Sequence, residues 1–186
     1  GSVPRVEEQS WQVHNTYRLN IQSNAENSLV PAASQCPAKP AICQLYAIND
    51  AKLNDSQFLS INVMGKLEEI TVSQRGPTWV GYDLEGLAMH PTSKLLYASS
   101  GKEAVLGRPI GDIYTIDADS GQLFSVGATG FEGIAHLSFS AEEILYGWAT
   151  GQGLITIDTQ TGKGTLVLPT DGMDIEYQML GTAEGL

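Results

Sequence analysis

The sequence predicts an all-β fold, a propeller-like repeat of about 3–4 four-stranded units, and three observations predict it. First, "QLYAIND" at 44–50, "LLYASSG" at 95–101 and "ILYGWAT" at 144–150 align on Tyr46, Tyr97 and Tyr146, at spacings of 51 and 49 residues. Second, "TIDADSG" at 115–121 and "TIDTQTG" at 156–162 share a T-I-D-x-x-[ST]-G pattern, with Asp117 and Asp158 separated by 41 residues. Third, short runs rich in β-branched and aromatic residues alternate with turn residues, and no stretch carries helical periodicity.

The elements follow in order along one β domain spanning 1–186. In "WQVHNTYRLNI", Trp11, Val13, Tyr17, Leu19 and Ile21 alternate with polar residues, the period of a half-buried strand. A polar loop follows and completes the loop-rich N-terminal part, residues 1–40. Repeat units are expected over 41–80, 81–128 and 129–171, and 172–186 reads as the start of a further unit. In the second unit the strands are "EGLAMHP", "KLLYASS", "DIYTIDA" and "QLFSVGA", with residues 101–111 as an inserted loop. The Asp-Ser-Gly and Gln-Thr-Gly links are turn chemistry: Asp, Ser and Thr bond local backbone, and Gly supplies a positive φ. Propellers usually need at least four blades. The chain therefore reads as a minimal or incomplete propeller, or as a sandwich of propeller-like units, with the N-terminal strand available to complete the last unit.

Composition bounds the function. The net charge of −11 argues against nucleic acid, where a basic face supplies most of the affinity. It suits a soluble surface, or carboxylates that hold cations. No apolar run approaches the roughly 18 residues of a membrane helix. No signal-peptide pattern opens the chain, so the expectation is a chain that begins after any processing. Cys36 and Cys43 bracket "CPAKPAIC". A disulfide, a metal pair and two free thiols are the alternatives, and the disulfide is favoured. It would contribute about 2.5 kcal/mol on the loop-entropy model and implies an oxidising compartment, hence secretion or the cell surface.

A second repeat carries chemistry. "GYDLEGLAMHP" at 81–91 is echoed by "GFEGIAHLSF" at 130–139 and by "GMDIEYQML" at 172–180, which sets Glu85, Glu132 and Glu176 in register. At the start of each inner strand these carboxylates would converge on one axis with Asp83 and Asp174. Like charges so gathered call for a cation, and calcium fits a set of carboxylate and carbonyl oxygens. The alternative is a structural corner, with each Glu accepting backbone hydrogen bonds.

The three histidines are His14, His90 and His136, and the three tryptophans are Trp11, Trp79 and Trp148. Imidazoles meeting in space would suit copper or zinc. His90 precedes Pro91 and also reads as a turn residue. Trp148 should approach His136 if 136–139 and 144–147 pair as a hairpin, and core packing is its default. Trp79 lies in the Gly/Pro-rich "GPTWVGYD", which core packing explains less well.

"LNDSQFLSIN", "GYDLEGLAMHP", "LLYASSG" and "GWATGQGLITIDTQTGKGTLV" resemble a family of secreted bacterial propeller-like proteins, over roughly residues 42–186. Within it, the acidic chain and its Trp and His complement are similar to the surface copper-binding proteins of methane-oxidising bacteria, of the MopE C-terminal and copper-repressible CorA type. That resemblance implies copper acquisition at the cell surface through a mononuclear Cu(I) site of two His and an oxidised Trp, kynurenine. Metal ions, together with outer-membrane surface partners, are the partners it implies. The ligands would come from His14, His90 and His136, with Trp11, Trp79 or Trp148 as the oxidised residue. Trp11 and His14 fall on opposite faces of a regular strand, which weakens that pair.

The expectation is therefore a non-catalytic copper protein with a structural calcium ion. A calcium-dependent propeller hydrolase, lactonase or phytase-like, is the alternative, with Asp83, Glu85, Glu132 and His136 as its candidates. A structural surface module is the third reading. No G-x-S-x-G elbow or H-E-x-x-H occurs.

Overall fold

A computed structural model describes residues 43–52, 54–63 and 70–170, all within the unit formed by 33–186. The described residues are all-β. The strands are β1 (Cys43–Lys52), β2 (Asp55–Val63), β3 (Ile70–Trp79), β4 (Leu84–Met89), β5 (Leu96–Ser100), β6 (Asp112–Ile116), β7 (Leu123–Ala128), β8 (Ile134–Phe139), β9 (Leu145–Ala149), β10 (Gly153–Ile157) and β11 (Gly164–Pro169). They form three antiparallel sheets with consecutive neighbours: β1-β2-β3, β4-β5-β6-β7 and β8-β9-β10-β11. Sequential four-stranded meanders are the blade pattern of a propeller.

Tyr46 lies in β1, Tyr97 in β5 and Tyr146 in β9. The first described sheet therefore begins at the counterpart of a second blade strand, and no counterpart of β4 and β8 occurs in it among the described residues. The expected N-terminal strand and the unit beginning at 172 lie outside the described residues, as does the Cys36–Cys43 pairing.

The central strands of the middle sheet, β5 and β6, contribute buried residues to both faces. Tyr97 and Ile113 pack against Ile134, Leu137, Phe139, Leu145, Ala149, Ile155 and Ile157 of the third sheet. Leu96, Ala98, Tyr114 and Ile116 pack with Phe58 and Trp79 of the first. Tyr46, Phe58 and Trp79 stack in sequence, with ring centroids 5.4 and 6.4 Å apart. Trp79, hard to place in the core from its Gly/Pro-rich surroundings, is a core residue: it ends β3 turned inward and is 6% exposed.

Buried serines tie the sheets together. Ser56 Oγ accepts Leu84 N at 2.8 Å, and Ser99 Oγ donates to the Ile134 carbonyl at 2.7 Å. In each case a hydroxyl from one sheet meets the backbone at the start of the next sheet's inner strand. That satisfies polar groups that burial would otherwise penalise.

The two T-I-D turns fold alike. The Asp117 carboxylate accepts Ser120 N at 2.7 Å, and the Asp158 carboxylate accepts Gln160 N at 2.8 Å and Thr161 N at 2.9 Å. Gly121 and Gly162 close these turns at φ of 65° and 78°, which explains the fixed glycine of the pattern.

Candidate functional site

Because the strands alternate in direction, 52–55, 79–84, 100–112, 128–134 and 149–153 connect them at one end of the sheets, and most candidate carboxylates lie there. Asp83 has a positive φ of 52°, is 5% exposed and is held on three sides. Its N–H donates to the Asn54 carbonyl at 3.2 Å, its carbonyl accepts Gly101 N at 2.7 Å, and its carboxylate accepts Glu103 N at 2.7 Å. Glu85 is exposed and lies at a β-bulge, the register shift between Leu84 and Gly86 against β5. A Cβ built on Gly101 would stand 2.5 Å from Asp83 Oδ2 and 2.5 Å from Glu85 Oε1. Two oxygens that close to one point are separated by no more than twice that distance, so the two carboxylates are neighbours. Only a glycine leaves room beneath them.

Glu132 is placed differently. The bulge recurs in the third sheet between Ile134 and His136, and Gly101 N→Asp83 O is matched by Thr150 N→Gly133 O at 3.0 Å. Leu84 therefore corresponds to Ile134, Gly86 to His136, and Glu85 to Ala135. The Glu-Gly echo is displaced by three residues from the structural register, so Glu132 precedes the strand. Its neighbour Gly133 has Lys102 against it: a Cβ there would lie 2.7 Å from Lys102 N. Gly86 is a close-approach glycine of another kind, since its Cβ would meet Ser99 Oγ at 2.3 Å and Leu137 Cγ at 2.9 Å. Each glycine of the echo thus admits a neighbouring segment, but not the same one. Asp174 and Glu176 lie outside the described residues. Among the described residues no group of three or more His, Cys, Asp or Glu is gathered as a metal site.

The inserted loop 101–111 dominates this end. Sequence reading missed what anchors it: Arg108 stands 4.4 Å from the Tyr82 ring centroid and donates to the Val80 carbonyl and the Tyr82 hydroxyl at 3.3 Å each. Tyr82 packs edge-on to Tyr114 at 5.7 Å. Beneath the loop, burial raises the pKa of Asp112. Burial, then the nearby Asp112 and Tyr82, push the Tyr114 phenol up to about 12 against the opposing pull of Ser100 and Arg108. The Tyr114 hydroxyl is buried and makes no hydrogen bond of ordinary geometry; Ser100 influences it but is already an acceptor for Asp112 N at 2.9 Å. The sequence signal for the clamp was an Arg within the Gly/Pro-containing insertion, but its partner Tyr82 lies two strands earlier in the chain.

The described histidines lie apart. His90, at the opposite end, organises a turn: its Nδ1 accepts Thr92 N and Ser93 N at 3.2 Å each. Its ring tilts against Phe139 at 5.0 Å, and Nε2 lies 3.9 Å from Glu143 Oε2. His136 stands three positions before Phe139 on β8, hence on the other strand face. It pairs across the strands with Trp148, as the hairpin expectation required. Gly147 and Ala149 face the middle sheet, so Trp148 points to the opposite face, where it shares His136's side and is 9% exposed. His14 and Trp11 lie outside the described residues.

No known protein family matches the chain, and no curated protein does. Among solved structures it is similar to a gluconolactonase from Xanthomonas campestris described as important in glucose secondary metabolic pathways, at 15% identity and a TM-score of 0.47, covering 67% of this chain and 38% of that one. It is similar to a streptogramin B lyase at 12% identity and a TM-score of 0.44, covering 74% and 44%. It is also similar to a virginiamycin B lyase from Staphylococcus aureus at 12% identity and a TM-score of 0.44, covering 76% and 46%. The chain spans less than half the length of these structures.

Proposed function

We propose that this is a non-catalytic, extracellular or cell-surface copper-binding protein, with its centre built on the His136–Trp148 pair. The observation that supports it is the cross-strand pairing of an imidazole and an indole on one strand face. Neighbours in such a pair have Cβ atoms about 5 Å apart, close enough for both rings to reach one ligand. Among the described residues the pair supplies one imidazole; His14 lies outside the described residues. His90 is spoken for by its turn. Trp148 is the candidate for oxidation to kynurenine, whose aromatic amine would be a copper ligand. Bound there, copper would be cargo held for acquisition.

The test is intact mass with metal analysis on protein from its native host. The expected result is a mass gain matching Trp to kynurenine and about one copper per chain, lost in His136→Ala. Copper-free protein from copper-replete, non-chelating buffer would refute it.

The second reading is a calcium-dependent hydrolase, favoured by the Asp83 and Glu85 carboxylates drawn together over Gly101. Calcium, held by those oxygens, would polarise a carbonyl or phosphoryl group. Lactone or phosphoester turnover abolished by chelation would select it over copper binding.

A further inference from the structure

We infer that two copies of this chain close a ring of six sheets, residues 175–180 of each copy supplying the inner strand that the other copy's first sheet lacks. β1 pairs with β2 on one edge and has no strand on its other edge among the described residues. Its counterparts β5 and β9 carry an inner strand there, β4 and β8. The sequence of an inner strand recurs after β11. "GMDIEYQML" at 172–180 repeats "GYDLEGLAM" at 81–89 in its Gly, Asp and Glu, with Ile175 for Leu84 and Leu180 for Met89. Residues 1–42 hold no such run, and Gly1 is their only glycine. Five residues, 170–174, separate β11 from Ile175, against four before β4 and five before β8. The segment lies outside the described residues, and this spacing assigns it to the inner position of the sheet that follows the third.

A bared face stands beside the open edge. Tyr46, Ile48 and Phe58 turn toward the middle sheet. The alternate rows, Leu45–Ile61–Val72 and Ala47–Leu59–Gln74, face the other way. The repeat buries this face in the other sheets. Leu96 and Leu145 each stand one residue before the aligned tyrosine, as Leu45 does, and are 2% and 1% exposed, packed against the sheet before them. Leu45 is 55% exposed and Val72 58%. Neither row holds a charged residue, in a chain of net charge −11. The first sheet calls for a sheet before it.

The stacking step identifies that sheet. The Tyr46 face of the first sheet meets the second, and the Tyr97 face of the second meets the third. The Tyr146 face of the third, which also carries Leu154 and the exposed Leu168, is the surface that the same step sets against Leu45. Within one copy this contact needs a ring of three sheets, below the four to eight that propellers take. Two copies give six. The joint is head to tail, and it closes because a half-turn returns to the start. Each open β1 edge is then covered by a strand, which removes an edge prone to uncontrolled pairing. The register of β4 on β5 carries over as Met179 against Tyr46 and Leu180 against Leu45.

The experiment is sedimentation equilibrium on the full chain at about 0.1 mM, joined to disulfide trapping. A dimer is expected. Both copies are acidic, so salt should tighten it by screening their repulsion. Val72→Glu, exposed in one copy and set in the apolar joint of two, should raise the dissociation constant at least about tenfold. Its far-ultraviolet circular dichroism should match the parent's, which separates lost association from misfolding. For trapping, Leu45→Cys and Leu180→Cys chains, each with Cys36 and Cys43 replaced by Ser, are mixed and oxidised. A disulfide joining the two variants is expected, and it reads the register whatever Val72→Glu does to folding. A monomer at that concentration, a dimer without that disulfide, or assembly that grows beyond the dimer would overturn the inference. So would a cross-link that forms only within one chain carrying both substitutions.

Discussion

Asp83→Asn isolates the charge at the corner where two carboxylates meet. Asparagine tolerates the positive φ of this position, so the backbone is left in place. Two terms oppose each other. Glu103 N loses a charged acceptor for a neutral one, which costs about 1 kcal/mol. Against this, the repulsion from Glu85 is relieved. At the separation that Gly101 allows, two unit charges repel by about 3 kcal/mol at an effective dielectric of 20, and exposure of Glu85 reduces this to about 1 kcal/mol. In chelator the two nearly cancel, and the thermal midpoint should move by less than about 4 °C. If the pair holds calcium, the parent gains about 2.7 kcal/mol when calcium is present at a hundred times its Kd. The Asn variant should lose most of that gain. The assay is a set of melting curves in chelator and over a calcium series. A parent without a calcium response, or an Asn variant that keeps it, would refute the cation reading and leave Asp83 as a structural corner. Glu132→Gln, three residues out of register, should leave the response intact.

Two further predictions concern pH. The Tyr114 phenol, raised to about 12 chiefly by burial, stays protonated in the folded state while the unfolded chain ionises from pH 10 upward. Stability should therefore fall as pH rises through 10 and level off above 12, and Tyr114→Phe should flatten that alkaline limb in denaturation curves. Asp117 and Asp158 are both held below their ordinary value by turn hydrogen bonds, led by Ser120 for Asp117 and by Gln160 for Asp158. Their contribution is complete above the ordinary carboxylate pKa and is lost as pH falls through the lowered folded value. Replacing both by Ala should shrink the acid limb below pH 3.8, and an unchanged limb would show that the turns hold without the carboxylates.

The strands and turns were legible because their signals are local. Tyr46, Tyr97 and Tyr146 mark equivalent strands, the T-I-D turns close on the same Asp and Gly, and 101–111 is the loop its composition suggested. What escaped depends on partners distant in sequence. Trp79 looked like a loop residue from its Gly and Pro neighbours, yet Phe58 and the middle sheet decide its burial. The Glu-Gly echo misled by three residues: Glu85 is the second residue of β4, whereas Glu132 stands two residues before β8 begins, and register is set by pairing and by the shared bulge. His90 reads from sequence as either ligand or turn residue, and its choice is visible only in the two backbone N–H groups it accepts.

The same register argues where this chain departs from its own repeat. The connection between β9 and β10 is three residues, 150–152, whereas its counterpart between β5 and β6 is eleven, 101–111. A repeat unit needs only the short link to stack, so packing within the sheets does not require the longer one. The insertion places Lys102 against Gly133, where a regular ring of carboxylates would have needed open space. It draws on Asp83 to hold Glu103 N, and it lifts Leu106 into solvent on a strained turn. A sequence keeps such local conflicts mainly where they serve function. The carboxylate corner and the apolar tip are thus two consequences of one insertion. Shortening 101–111 to the length of 150–152 should remove both while leaving the strands of the middle sheet paired.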